Sequence, residues 1–374
     1  MALAAPGVRQ LHPYLPGKPV SELEREYGVS NIIKLASNEN PLGPSPLALK
    51  VMRGELDELA LYPDGGGFAL KETLAQFHRL AAEQITLGNG SNDVLVLMAE
   101  AFLRPGLEAV YSQYCFAVYP IAVEATGATA RVAPALTATA QQPLGHDLAA
   151  ISALVGANTR IVFIANPNNP TGTWLEADTL HAFIAALPPH VLVVVDEAYH
   201  EYAISLGVPD ASVWLDEFPN LVVMRTFSKA YGLAGIRVGY SLSSADIAGI
   251  LNRIRQPFNV NSLALAGAQA ALSDQAYIRR CVALNQAGVS QLRNGLRALG
   301  IETGPTAANF LLADMAQPAG PLDEALLRRG IIVRPVGNYG LPQHLRITVG
   351  TNEQNKALLN ALHEIMNDGQ IESA

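Results

Sequence analysis

From about residue 46 to 265, short apolar runs alternate with stretches in helical rhythm, and each run ends on polar residues. The clearest runs are Ala109-Val110-Tyr111, Arg160 to Ala165, Val191 to Val195 and Leu221 to Met224. A run without a polar member, such as Val191-Leu192-Val193-Val194-Val195, suits a strand covered on both faces. Strands alternating with helices over this length predict a mostly parallel sheet with helices on both sides. After about 266 a long helical stretch leads to Asn309 to Ala313, Gly330 to Arg334 and Leu345 to Val349. These strands, interleaved with helices, predict a smaller α/β domain. The first 45 residues carry Pro6, Pro13, Pro16, Pro19, Pro41 and Pro44, which suits an extended arm with turns. The expected fold class is α/β, with an arm (1–45) serving the small domain and the active site, a large domain (46–265) and a small C-terminal domain (266–374).

In an open parallel sheet, ligands bind at the carboxyl ends of the strands. Here Gln113-Tyr114, Asn166 to Gly172, Asp196 to Tyr199 and Thr226 to Lys229 each follow an apolar run, so four polar loops converge on one edge. Lys229 stands out because it is the only lysine between Lys71 and Lys356, in a chain that otherwise uses mainly arginine. An amine at a strand mouth can form a Schiff base with an aldehyde cofactor, and the alternative is a solvated loop lysine. Asp196 follows five apolar residues, where a carboxylate wants a cationic partner such as a protonated pyridine nitrogen. Helix capping is the other use for it; a metal is disfavoured because no histidine cluster accompanies it. Asn169 and Tyr199 can donate to a phenolate oxygen on the same ring, although Asn169 also suits a plain turn. Gly88 to Asp93 precedes an apolar helix and offers either an ordinary cap or a phosphate site made of backbone N–H groups. Arg237, eight residues after Lys229, can clamp a phosphate or sit in a surface ion pair.

Composition narrows the partners. Hydrophobic residues make up 49% and charged residues 16%, which fits a well-buried enzyme. A formal net charge of −8 with no basic block disfavours nucleic acid and anionic membranes. Cys115 and Cys281 provide neither a disulfide framework nor a metal-ligand spacing. No signal peptide is expected at the start, and no apolar run approaches the ~18 residues of a membrane span, so a soluble cytoplasmic protein is expected.

Asn-Pro-x-Asn-Pro-Thr-Gly, Asp-Glu-Ala-Tyr, and Ser-Lys with arginine eight residues later occur here in the order and at the separations seen in pyridoxal-phosphate enzymes of fold type I. From about residue 10 to the end the chain resembles the class I/II aminotransferases. The resemblance implies pyridoxal 5'-phosphate as cofactor, with Lys229 as the Schiff-base lysine and Asp196 at the pyridine nitrogen. It places Asn169 and Tyr199 at the ring oxygen, Tyr114 stacked on the ring, and Gly90, Ser91, Asn92, Thr226, Ser228 and Arg237 around the phosphate. Tyr62 corresponds to a tyrosine that reaches the phosphate from the neighbouring subunit of a homodimer. Leu11 to Pro19, Ala36 to Gly43 and Gly330 to Pro335 narrow the likeness to the histidinol-phosphate aminotransferases. That likeness puts Tyr14, Asn38, Arg334 and Arg346 on the substrates, a small-molecule amino donor and a 2-oxo acid acceptor. Arg346 would hold an α-carboxylate, and Arg334 with Tyr14 the phosphate of histidinol phosphate.

The segment Gly337 to Pro342 has a form shared with relatives that also accept aromatic amino acids, which keeps an aromatic aminotransferase as the nearest alternative. A threonine-phosphate decarboxylase is a more distant one. A cofactor-sensing DNA-binding regulator needs a basic extension of roughly 60 residues, whereas the aminotransferase pattern begins by residue 11.

Overall fold

The computed structural model describes residues 3–9, 11–14, 17–137 and 139–367. In the arm, strand β1 (Ile33–Lys34) follows a short helix, Val20–Tyr27. Next come β2 (Ile85–Gly88), β3 (Glu108–Ser112), β4 (Thr129–Ala133), β5 (Thr159–Ala165), β6 (Leu192–Asp196), β7 (Leu221–Thr226) and β8 (Gly239–Ser243). Together β2 to β8 form one seven-stranded sheet in the order β2-β8-β7-β6-β5-β3-β4. Only β8 runs against its neighbours, β2 and β7; β3 to β7 are parallel.

The apolar runs are buried on both faces because successive side chains alternate across the sheet. Val162, Ile164, Val193, Val195 and Val223 enter one apolar layer. Ile161, Phe163, Val194, Val222 and Met224 enter the other. The same alternation sends Asp196 and Thr226 to one side of the sheet and Arg225 to the opposite side, where it meets Glu197. The strands end level: Ala165 pairs with Asp196, and Asp196 with Met224. A polar residue after each run therefore lands beside the next one.

The second unit contains β9 (Glu302–Thr303), β10 (Phe310–Asp314), β11 (Ile331–Ile332), β12 (Arg334–Val336) and β13 (Leu341–Thr348). Strands β12-β13-β10-β9 make an antiparallel sheet, while β11 pairs in parallel with β1. The arm is thereby tied in: Leu35 joins Leu292, Leu311, Leu345 and Ile365 in one core, and Leu23 packs with Leu327 and Ile332. The expected strand over 330–334 is two strands, since the chain leaves β1 and joins β13 at Val333. The last strand starts at Leu341 rather than Leu345.

Residue 265 lies inside the continuous helix Ser262–Ser273. Ala264, Ala268, Ala271 and Leu272 of that helix belong to the core on the large sheet, so the chain leaves this sheet nearer Gln275 than 265.

Candidate active site

One cavity opens at the carboxyl ends of β5, β6 and β7 and is closed on its far side by β12, β13 and the arm. Its floor is Asp196. The Asp196 carboxylate accepts from the Tyr119 hydroxyl at Oδ2 (3.0 Å) and from the Ala198 N–H at Oδ1 (3.2 Å). Burial pushes this carboxyl up to about 6, against the pull of those two donors and of Lys229.

Lys229 follows β7, and its Nζ donates to the Ser37 carbonyl of the arm at 3.2 Å. The same Nζ sits 5.8 Å from the centre of the Tyr199 ring. Loss of water, with Arg346 and Arg237 nearby, lowers the amine to about 8, while Glu39 and Asp196 oppose the shift. An amine so placed is neutral often enough near neutral pH to act as nucleophile or base.

A polar cradle occupies one end. Helix Ser91–Phe102 begins at Gly90 (φ 84°), and no side chain caps it. By contrast, Ser45, Asp147, Ser244, Asn261 and Asp274 each cap their own helices. A Cβ on Gly90 would collide with the Arg237 guanidinium, and one on Gly239 with the Ser91 nitrogen, so glycine is what lets these groups converge. Arg237 Nη1 donates to Ser228 Oγ (3.2 Å), which also accepts from the Thr226 hydroxyl (3.0 Å). An uncapped helix start, a guanidinium and two hydroxyls form a site for a phosphate.

The opposite wall is cationic. Arg346 donates from Nη1 to Asn169 Oδ1 (2.6 Å) and from Nη2 to the Ala36 carbonyl (2.7 Å). Its buried Nε has no hydrogen-bond partner among the described residues. Since Asn169 accepts through its oxygen, its amide N–H groups are left to donate. Tyr199 OH accepts from Asn38 Nδ2 (2.9 Å), which leaves its own proton to donate, and burial holds the phenol well above its usual range. Asn38 is fixed in turn by Thr348 and Asn309. Arg334 and Tyr14 complete the wall.

Beneath the floor, Arg225 donates to Glu197 Oε2 from Nε (2.9 Å) and Nη2 (2.7 Å), and to Asp210 Oδ1 (2.5 Å). Burial pushes Glu197 up to about 7 against the pull of Arg225. This clamp ties the segment after β6 to β7, and so holds the backbone that carries Asp196 and Thr226.

The profile of the family described as Aminotransferase class I and II matches residues 30–362. The chain is 56% identical over 371 residues to histidinol-phosphate aminotransferase 2 of Pseudomonas fluorescens, covering 99% of each chain. The namesake of Methylococcus capsulatus is 56% identical over 364 residues, covering 97% of this chain and 98% of its own. The chain belongs to the histidinol-phosphate aminotransferase family. Among solved structures, the histidinol-phosphate aminotransferase of Sinorhizobium meliloti in complex with pyridoxal-5'-phosphate superposes with a TM-score of 0.89. It is 29% identical and covers 98% of both chains. The α/β architecture is thus that of the fold type I aminotransferases.

Of the residues singled out for this family's chemistry, Lys229, Asp196, Ser91, Asn92, Asn169, Tyr199, Thr226, Ser228, Arg237, Tyr14, Asn38, Arg334 and Arg346 line one cavity. Gly90 stands directly behind it, against Arg237. Tyr114 packs against Leu312, Val336 and Leu341, and Phe116 of the same segment lines the cavity. The Tyr114 carbonyl accepts from Asn168 Nδ2 at 2.7 Å. Tyr62 lies outside this subunit's cavity, 82% exposed, its ring stacked 4.7 Å from Phe258. Tyr119, Phe116 and the Ser37 carbonyl were not anticipated. Nothing in sequence distinguishes Tyr119 from an ordinary core residue of the helix Val118–Ala125.

Among the described residues, no helix is long and apolar enough to cross a membrane.

Proposed function

We propose that this chain transfers the amino group of L-histidinol phosphate to 2-oxoglutarate, giving imidazole-acetol phosphate and glutamate, with pyridoxal 5'-phosphate as cofactor. The observation that carries the reading is one cavity holding a lowered lysine, a buried carboxylate, a phosphate cradle and two further arginines. One phosphate-bearing cofactor would fill the cradle, and Arg334 and Arg346 line the part of the cavity where the anionic ends of two substrates would lie.

The residues present fit the cofactor. Arg237, Ser228, Thr226 and the N–H groups at Ser91 and Asn92 would hold its phosphate, and Asp196 its ring nitrogen. Asn169 and Tyr199 would donate to its ring oxygen, and Phe116 lines the same cavity. When bound, pyridoxal phosphate supplies an aldehyde that condenses with amines and a ring that takes up the electron pair left at Cα. Lys229 would hold the cofactor through its aldehyde, and its freed amine would move a proton between the substrate Cα and the cofactor C4′. A placed base of this kind contributes roughly 10²–10⁴-fold. Arg346 orients the α-carboxylate of glutamate, and Arg334 with Tyr14 binds the phosphate of histidinol phosphate.

The same reading includes a cytoplasmic homodimer in which Tyr62 serves the partner's site. It also includes an arm and a large and a small domain, with the second boundary placed near Gln275. Lys229→Ala tests the central residue: turnover and the borohydride-reducible bond between cofactor and protein should both vanish. Covalent labelling that persists in this variant would remove Lys229 from the role.

A further inference from the structure

Tyr119 is 1% exposed, and its hydroxyl reaches Asp196 Oδ2 at 3.0 Å. The ring is held on two sides, stacked on Phe163 with centroids 4.8 Å apart and edge-on to Phe116 at 6.0 Å. With the Ala198 N–H on Oδ1, both carboxylate oxygens carry one donor, so the plane of the carboxylate is fixed. We propose that Tyr119 is a positioning residue for the transamination: its hydroxyl keeps Asp196 ionised and aimed at the ring nitrogen, so that their shared proton stays on the nitrogen. The inference rests on the assignment of Asp196 to that nitrogen.

The physical reason is a competition for one proton. A buried carboxylate facing a pyridine can exist as an ion pair or as a neutral acid beside a neutral ring, and burial favours the neutral form. Burial has already pushed Asp196 up to about 6, close to the range in which a pyridine competes. A hydroxyl aimed at the carboxylate stabilises the ionic form alone. Without it the proton slips toward Asp196, and the ring becomes a weaker electron acceptor. The other titratable groups facing this pair are Lys229, which favours the carboxylate, and Tyr199 and Cys115, both held neutral by burial. Cys115 is pushed up to about 12. Neither stands in for the hydroxyl at Oδ2, because no hydrogen bond joins Tyr199 or Cys115 to Asp196 among the described residues.

Tyr119→Phe removes the hydroxyl and keeps the stacked ring. Tyr111→Phe is the control: Tyr111 is also buried, its ring 6.4 Å from that of Tyr119, and no hydrogen bond joins it to Asp196 among the described residues. The first readout is the carboxyl carbon resonance of Asp196 in the protein without cofactor, assigned by its loss in Asp196→Asn and followed against pH. The second is the visible absorbance of the cofactor-loaded protein against pH, together with kcat and KM for histidinol phosphate. Tyr119→Phe should move the Asp196 titration up by about one unit and shift the absorbance titration. It should also lower kcat about tenfold with KM nearly constant, as expected for one charge-assisted hydrogen bond felt in the chemical step. Tyr111→Phe should move none of these. An Asp196 titration unchanged in Tyr119→Phe would overturn the proposal while leaving Asp196 at the ring nitrogen. A moved Asp196 titration with unchanged absorbance and kcat would overturn it through its premise, by showing that Asp196 does not meet the ring.

Discussion

Arg334 stands directly opposite Arg346 in the antiparallel ladder of β12 and β13, so two buried guanidinium groups share one face of the small sheet. Both line the cavity in which the anionic ends of the substrates would lie. Histidinol phosphate has a phosphate and no carboxylate, so the two arginines should separate the half-reactions. Arg334→Ala should weaken histidinol phosphate by about 2–4 kcal/mol, the loss of a buried charged partner, and should spare glutamate. Arg346→Ala should impair mainly the glutamate half-reaction. Single-turnover kinetics with each donor check both.

Lys229 should burden the protein that lacks cofactor. Its amine is lowered to about 8 from 10.5, so the folded state binds fewer protons than the unfolded state between those values. Stability then rises with pH through that window, and the penalty is complete below it. Lys229→Met should raise the melting temperature of the cofactor-free protein at pH 7 by about 1–3 kcal/mol in equivalent stability, a figure discounted because the lysine is only partly buried. The gain should shrink as pH rises from 8 toward 10.5. Thermal melts of both proteins across that range test the sign.

Tyr62 offers a test of assembly. It projects from the turn before helix Phe68–His78, with Leu59 and Leu61 also exposed beside it. In a two-fold dimer with shared sites, mixing inactive Lys229→Ala subunits with inactive Tyr62→Ala subunits should restore part of the activity. A fully active monomer in sedimentation would contradict the shared site.

Much of this was legible in the chain, for identifiable reasons. Val191 to Val195 and Leu221 to Met224 mark β6 and β7 because strands covered on both faces are mostly apolar. Asp196 ends β6 and Lys229 follows β7, and the two meet because parallel strands end on one edge. Strand β8, Gly239–Ser243, has no such run; it is buried with its serines, and only the ladder to β2 and β7 defines it. Tyr119 meets Asp196 only because the helix Val118–Ala125 lies over the sheet, with Tyr119 stacked on Phe163 of β5, a contact 77 residues apart in sequence. The packing of Tyr114 against Leu312, Val336 and Leu341 of the small sheet is likewise invisible in local sequence. Local pattern therefore locates the strand-end groups, whereas the groups that tune them come from tertiary packing.

The most direct test of substrate choice is single-turnover reaction of the cofactor-loaded protein with histidinol phosphate, phenylalanine, tyrosine and threonine phosphate, followed by cofactor absorbance. Histidinol phosphate should convert the cofactor fastest, losing that advantage in Arg334→Ala, and threonine phosphate should release no CO2. Faster conversion by phenylalanine or tyrosine, with a histidinol phosphate rate indifferent to Arg334, would contradict the account and make this an aromatic aminotransferase.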